Sequence, residues 1–270
     1  MMELFQYAFF KNALIGVLII SVAAGIIGTY IITRRMVSIS GGVTHACFGG
    51  LGLGYFLGWN PVLMAAVFAV ASSLGVEFLT GRDSRVREDS AIAVIWAVGM
   101  AIGVLFVFLT PGYVPELNAF LFGNILTITR ADLLAFAVYT VMLIAFMSLF
   151  FQKIVVCAFD RDFATVSRLN ARFINCTMTV MVAVCIVLTI RLVGIMLLMS
   201  MMTLPQMTAE NFCHRFRTLM YTSTVISVFT CLCGLLLSTV IDVPCSALIV
   251  IIQATVYAAG AITARVTAKQ

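Results

Sequence analysis

The feature that most constrains this chain is the return, again and again, of an apolar run close to 20 residues long. Residues 10–33, 62–80, 90–110, 131–151, 218–240 and 245–263 are such runs, and 176–190 with 192–209 form a further interrupted one. Roughly 20 residues of helix cross a bilayer's hydrocarbon core. Inside lipid each backbone polar group must be bonded within a helix or a closed barrel. The two-residue alternation of barrel strands is absent, so these runs predict helices. Of the 270 residues 63% are hydrophobic and only 10% charged, against about 25% charged in a soluble domain. The sequence therefore predicts an all-α polytopic membrane protein, a helical bundle of eight or nine transmembrane helices in one domain over 1–270. The first residues show no cleavable signal pattern. The eight cysteines lie mostly inside apolar runs, as small soft hydrophobes rather than a disulfide framework or metal thiolates.

One membrane-length stretch differs from the rest. Residues 39–59, ISGGVTHACFGGLGLGYFLGW, hold one of only two histidines, His45. Ala46, Gly50, Gly54 and Gly58 recur every four residues and so share one helical face. Such a small-residue ladder lets a neighbouring helix approach closely, and it predicts that Gly50, Gly54 and Gly58 pack helices. Trp59-Asn60-Pro61 reads as an interfacial aromatic followed by a turn.

Between the runs lie charged loops. Residues 81–89 (GRDSRVRED), 152–175 and 210–217 (ENFCHRFR), with 34–35 and the C-terminus, carry 13 of the 16 basic residues. By the positive-inside rule these loops are cytoplasmic, the N-terminus lies outside and the C-terminus is cytoplasmic. The net charge of +5 thus reflects orientation and not nucleic-acid binding. The segment 119–129 (AFLFGNILTIT) is apolar but too short to cross, which predicts an interfacial or re-entrant helix.

Ionisable groups inside the runs are few, because each costs about 2.5–3.5 kcal/mol on insertion scales. Glu77 lies near the cytoplasmic end of its run and is read as snorkelling or pairing with 81–89. Arg191 marks an expected outer turn, with gating as the alternative. His45 is either a buried imidazole satisfied by a neighbouring helix or a ligand, since neutral imidazole is the commonest metal ligand and suits zinc, iron and other first-row ions. No G-x-x-x-x-G-K-[ST] is present, so any ATP hydrolysis belongs to a separate subunit. In 159–172 (FDRDFATVSRLNAR), Phe159, Phe163, Val166 and Leu169 or Asn170 predict a short amphipathic helix, read as a surface helix or a docking helix.

Four stretches in order resemble one family, the permease subunits of ATP-binding-cassette importers for zinc, manganese and iron. RRMVSISGGVTHACFGGLGLG (34–54) resembles the family's Arg-Arg-Met start and histidine-containing helix. EDSAIAVIWAVGMAIGVLF (88–106) resembles its acidic start and small/apolar helix. AFLFGNILTIT (119–129) is close to its Leu-Phe-Gly-(Asp/Asn) signature. AFDRDFATVSRLN (158–170) with LVGIMLLMSMMTLPQMTA (192–209), which contains Pro205, resembles its coupling segment and Pro-x-x-Thr-Ala helix. A weaker match is STVIDVPCSALIVIIQA (238–254).

The resemblance implies a transport subunit of the bacterial cytoplasmic (inner) membrane, with no catalytic residues and no cofactor of its own. Its cargo would be zinc, manganese or ferrous iron, and His45 would be a transient ligand on the path. A cytoplasmic ATPase dimer, binding ATP, would dock on a coupling helix within 152–175 through Phe159, Asp160, Asp162, Phe163 and Ala164. A second permease copy, an extracytoplasmic metal-binding protein and membrane lipid are the other implied partners. Two departures stand out. Gly41 occupies the place, four residues before His45, where the family carries an aspartate. Arg161 replaces the coupling segment's usual proline. The rival readings are import of a metal chelate by the same architecture, and an ion-gradient carrier. The near absence of intramembrane carboxylates speaks against the carrier.

Overall fold

The computed structural model describes residues 7–80, 87–111, 123, 128–159 and 170–267. These form nine helices and, among the described residues, no strand. The helices are α1 (Ala8–Thr33), α2 (Val37–Leu57), α3 (Pro61–Leu79), α4 (Glu88–Leu109), α5 (Arg130–Phe159), α6 (Ala171–Met201), α7 (Leu204–Glu210), α8 (Phe216–Ile241) and α9 (Cys245–Thr267). Seven stretches are long and apolar enough to cross a membrane, α6 and α7 counting together as Ala171–Glu210. The 21-residue α2 stands outside those seven because six glycines and His45 dilute its apolarity. Its length still suffices to span.

Local chemistry sets the helix ends. Asn60 caps α3: its Oδ1 accepts from the backbone N–H of Val62 (3.0 Å) and Leu63 (3.3 Å), and Pro61 occupies the first turn, where its missing N–H costs nothing. Ahead of α5, the Thr129 hydroxyl donates to Asp132 Oδ2 (2.6 Å) and accepts from the Asp132 N–H (3.2 Å). α1 stops at Arg34-Arg35, where Arg35 takes φ +58°. The Arg34 guanidinium folds back to donate to the Tyr30 hydroxyl at 2.8 Å, 5.6 Å from the centre of its ring.

Three expectations from sequence are corrected. The expected outer turn at Arg191 is absent from the interrupted run 176–209, which the sequence leaves open between two helices and one broken helix. Arg191 lies within α6, and the helical path breaks at Gly194 (φ +82°, ψ +172°), a conformation essentially closed to other residues. The run 131–151 extends to Phe159 through a second irregular residue, Phe150 (φ −110°, ψ 15°). Gly58 does not pack a helix: it caps α2 in the left-handed region (φ +68°), with nothing within 4 Å of the position its Cβ would take. The helical phase of the ladder is right there, but the helix ends at Leu57. Most of the proposed re-entrant segment 119–129 lies outside the described residues.

The chain divides into two compact units. The first comprises Met1–Arg35, Asn118–Leu149 and Leu192–Gln270. Within it α1 runs beside α8, its Thr29 hydroxyl 3.2 Å from that of Ser223. Gly25 lets the two backbones approach: a Cβ there would lie 2.9 Å from Thr224 Cα, closer than real side chains come. The second unit comprises Met36–Leu117 and Phe150–Arg191. Here α2 lies against both α3 and α4, and its Gly50 and Gly54 face α3. Cβ atoms on them would stand 2.7 Å from the Cα atoms of Ala65 and Pro61 respectively.

Filling such a contact forces the helices apart, and overpacking costs about 1–3 kcal/mol. Gly54→Leu should therefore lower the melting temperature of the detergent-solubilised protein. Gly58→Asn, an open site for a residue that tolerates the left-handed region, should melt with the native chain. Equal melting of the two variants in heated size-exclusion runs would contradict this division of roles.

Candidate functional site

His45 sits in the middle of α2, and its setting follows from close glycine contacts on two faces of that helix. On the α4 face, a Cβ on Gly42 would strike the Ile92 side chain. A Cβ on Gly99 would lie 2.6 Å from Ala46 Cα, and one on Gly103 would lie 2.6 Å from the Phe48 carbonyl carbon. The pairs 42/92, 46/99 and 48/103 rise together, so α2 and α4 run parallel. On the other face the pairs 50/65 and 54/61 run in opposite senses, so α2 and α3 form an antiparallel hairpin.

The parallel register delivers Trp96 to His45. The two rings stack, centroids 4.7 Å apart and planes 12° from parallel. His45 is half-buried, and its Nδ1 is shut off from solvent with no hydrogen-bond partner among the described residues. The hydroxyl of Thr44 is turned to the Ser40 carbonyl and the thiol of Cys47 donates to the Val43 carbonyl at 3.0 Å, so both neighbours are engaged within the helix. Gly41 is buried one turn earlier and offers no side chain. Among the described residues no three His, Cys, Asp or Glu side chains converge. The arrangement therefore presents one imidazole and, among the described residues, no closed cage of side-chain ligands.

The other candidates lie elsewhere in the sequence. Arg191 is exposed on α6, three residues ahead of the Gly194 break. Pro205 is buried in the first turn of α7. Phe159 is exposed at the end of α5. Asp160, Asp162, Phe163 and Ala164 lie outside the described residues, as does most of the coupling segment.

Sequence reading passed over three residues. Trp96 is the first; its signal was the pair Gly99 and Gly103, four apart on the same helix as an indole. The second is Gln206, beside Pro205 and fully buried, whose amide donates to the Ala24 carbonyl (2.9 Å) and the Met201 carbonyl (3.2 Å) and ties α7 to α1. The third is Gln253 on α9, also buried, bonded to Ser200 and reaching Thr230 at 3.4 Å. The two glutamines are uncharged polar groups within apolar runs, and each amide bonds to a neighbouring segment, although Gln206 Oε1 has no partner among the described residues.

Comparison with known proteins places these features in context. The model of the ABC 3 transport family matches residues 6–264. A probable metal transport system membrane protein of Chlamydia trachomatis is 30% identical over 242 residues, 88% of this chain and 83% of the relative. The manganese transport system membrane protein MntC of Listeria innocua is 26% identical over 254 residues, 94% of this chain and 90% of the relative. Among solved structures, PsaBC from Streptococcus pneumoniae in complex with Fab superposes with a TM-score of 0.83 at 23% identity, over 95% of this chain and 92% of that one. At that identity the likeness is one of fold.

The break in α6 generates a prediction of its own. Gly123 (φ +58°) approaches it so closely that a Cβ would lie 2.5 Å from the Val193 carbonyl oxygen. Gly194→Ala must leave its present backbone region, at a cost of about 1–3 kcal/mol. Reduced thermal stability in detergent is the expected result; an unchanged melting temperature would show that the helix runs through this point without a break.

Proposed function

Because the chain belongs to the ABC 3 transport family, we propose that it is the membrane-spanning permease subunit of an ATP-driven importer of divalent transition-metal ions. The observation that carries this reading is His45: of the two histidines the only one inside a membrane-length helix, its buried Nδ1 without a hydrogen-bond partner among the described residues. The names of the relatives, metal transport in one and manganese transport in another, support the class of cargo. The ion is zinc, manganese or ferrous iron. Gly41, in place of a carboxylate, removes the hard oxygen ligand that would favour manganese.

In this reading the 270 residues act as one permease domain of the bacterial cytoplasmic membrane, N-terminus outside and C-terminus cytoplasmic, as the 13-to-3 division of basic residues supports. Two copies pair. An extracytoplasmic metal-binding protein hands over the ion, and a cytoplasmic ATPase dimer grips the segment that follows Phe159. ATP closes the ATPase dimer, force passes through that segment to the helices, and access to His45 switches sides. A site of one imidazole holds the ion loosely, and loose holding is what transport requires, since an ion bound too well does not leave.

Reconstituted with its ATPase and binding protein, the complex should take up zinc, manganese or ferrous iron in an ATP-dependent manner. His45→Ala should assemble normally and lose at least tenfold in uptake. Normal uptake by that variant would make the histidine a packing residue, and uptake of a chelate with indifference to free ions would replace the cargo. Reversal of charge at both Asp160 and Asp162 should release the ATPase or uncouple its turnover; intact coupling would move the docking site elsewhere.

A further inference from the structure

Resting on the assignment of His45 to the ion path, we propose that Trp96 is the positioning residue of that site, a clamp that fixes the plane of the imidazole and leaves only its edge to the ion. The indole and imidazole planes lie 12° from parallel at 4.7 Å between centroids, which is offset-stacking distance. A metal ion binds imidazole in the ring plane, along the nitrogen lone pair, and not over its face. Trp96 covers one face of the ring and so forbids nothing that coordination needs. What it removes is rotation of the ring, the freedom that a lone, otherwise unbonded ligand retains. Metal-ligating histidines ordinarily have their orientation fixed by a hydrogen bond from the second ring nitrogen. Here Nδ1 has no such bond among the described residues, and the stack takes its place.

The clamp is built into the helix register. Gly42 against Ile92 lies one turn before the ring pair, and Ala46 against Gly99 lies directly beyond it. These contacts admit no slack, so α4 cannot slide along α2 without separating indole from imidazole. Trp96 remains 45% exposed, so its outer face is open to the path or to lipid while its inner face is held. No carboxylate of α2 or α4 lies within a turn of either ring in sequence: the acids of α4, Glu88 and Asp89, are seven or more residues before Trp96, and α2 has none. Neighbouring charge on these helices therefore does not orient the imidazole, and the aromatic contact does.

The chain has two tryptophans, Trp59 and Trp96. Trp59→Phe, a change at an exposed residue beyond the end of α2, leaves Trp96 as the sole tryptophan of this chain, read in the assembled complex as the manganese-dependent difference from the same complex carrying Trp96→Phe. Titration with manganese(II), a paramagnetic quencher, should lower Trp96 emission, and the additional change His45→Ala should abolish the quenching. Trp96→Ala should raise the half-saturating ion concentration for uptake about tenfold, the size of loss seen when an orienting partner of a ligand is removed, with little change in maximal rate. Trp96→Phe, which keeps a stacking face, should restore it. Emission that ignores manganese in a complex that transports manganese through His45 would overturn the clamp and leave the ion path standing. So would native half-saturation in Trp96→Ala. Native uptake in His45→Ala would remove the path itself, and the clamp with it.

Discussion

The rest of the second unit depends on one constraint, backbone-to-backbone approach in a medium that gives helices no hydrophobic reason to associate. Lipid tails are as apolar as leucine, so helices hold together through close packing and a few polar contacts. In α2 the glycines meet this need on two faces at once, Gly50 and Gly54 toward α3, Gly42 and Gly52 toward α4, and Gly49 between Phe68 of α3 and Gly99 of α4. The answering glycines on α4, Gly99 and Gly103, are what make the second contact possible. At that range the parallel α4 brings the Trp96 ring alongside His45.

The first unit meets the same need differently. Its contacts combine glycine approach, as at Gly25 and Gly28, with buried amides and hydroxyls. Gln206 ties α7 to α1, the hydroxyls of Thr29 and Ser223 meet between α1 and α8, and Gln253 joins Ser200 and Thr230. Hydrogen bonds of this kind add only about 0.6 kcal/mol on average between membrane helices. Their value lies in register, because a buried amide has few alternative partners and a slipped helix would leave it unsatisfied. The breaks at Phe150 and Gly194 fall at or within a few residues of the points where the chain passes between the two units. Both are interruptions of otherwise long helices, and the second is fixed by a conformation that glycine alone adopts with ease.

Much of this was legible in the sequence. The spans were, because bilayer thickness fixes helix length and excludes other backbone arrangements. The start of α3 was legible in Trp59-Asn60-Pro61, and the importance of α2 in its glycines and lone histidine. Helical phase alone misplaced Gly58, since a periodic face continues on paper past the residue where the helix stops. Arg191 resembles a boundary because it is a charge in an apolar run; the actual interruption is three residues later, at Gly194.

The sequence by itself thus determined an all-helical membrane protein, its approximate spans, and the one histidine that lies inside a membrane-length run. Those features are local, set by 1.5 Å of rise per residue and the cost of burying charge. Only the tertiary structure decided that Trp96, 51 positions from His45, is the residue that lies against it. That juxtaposition depends on α2 and α4 being parallel and in register, and the register is fixed by contacts between glycines on different helices, which no periodicity within either helix encodes.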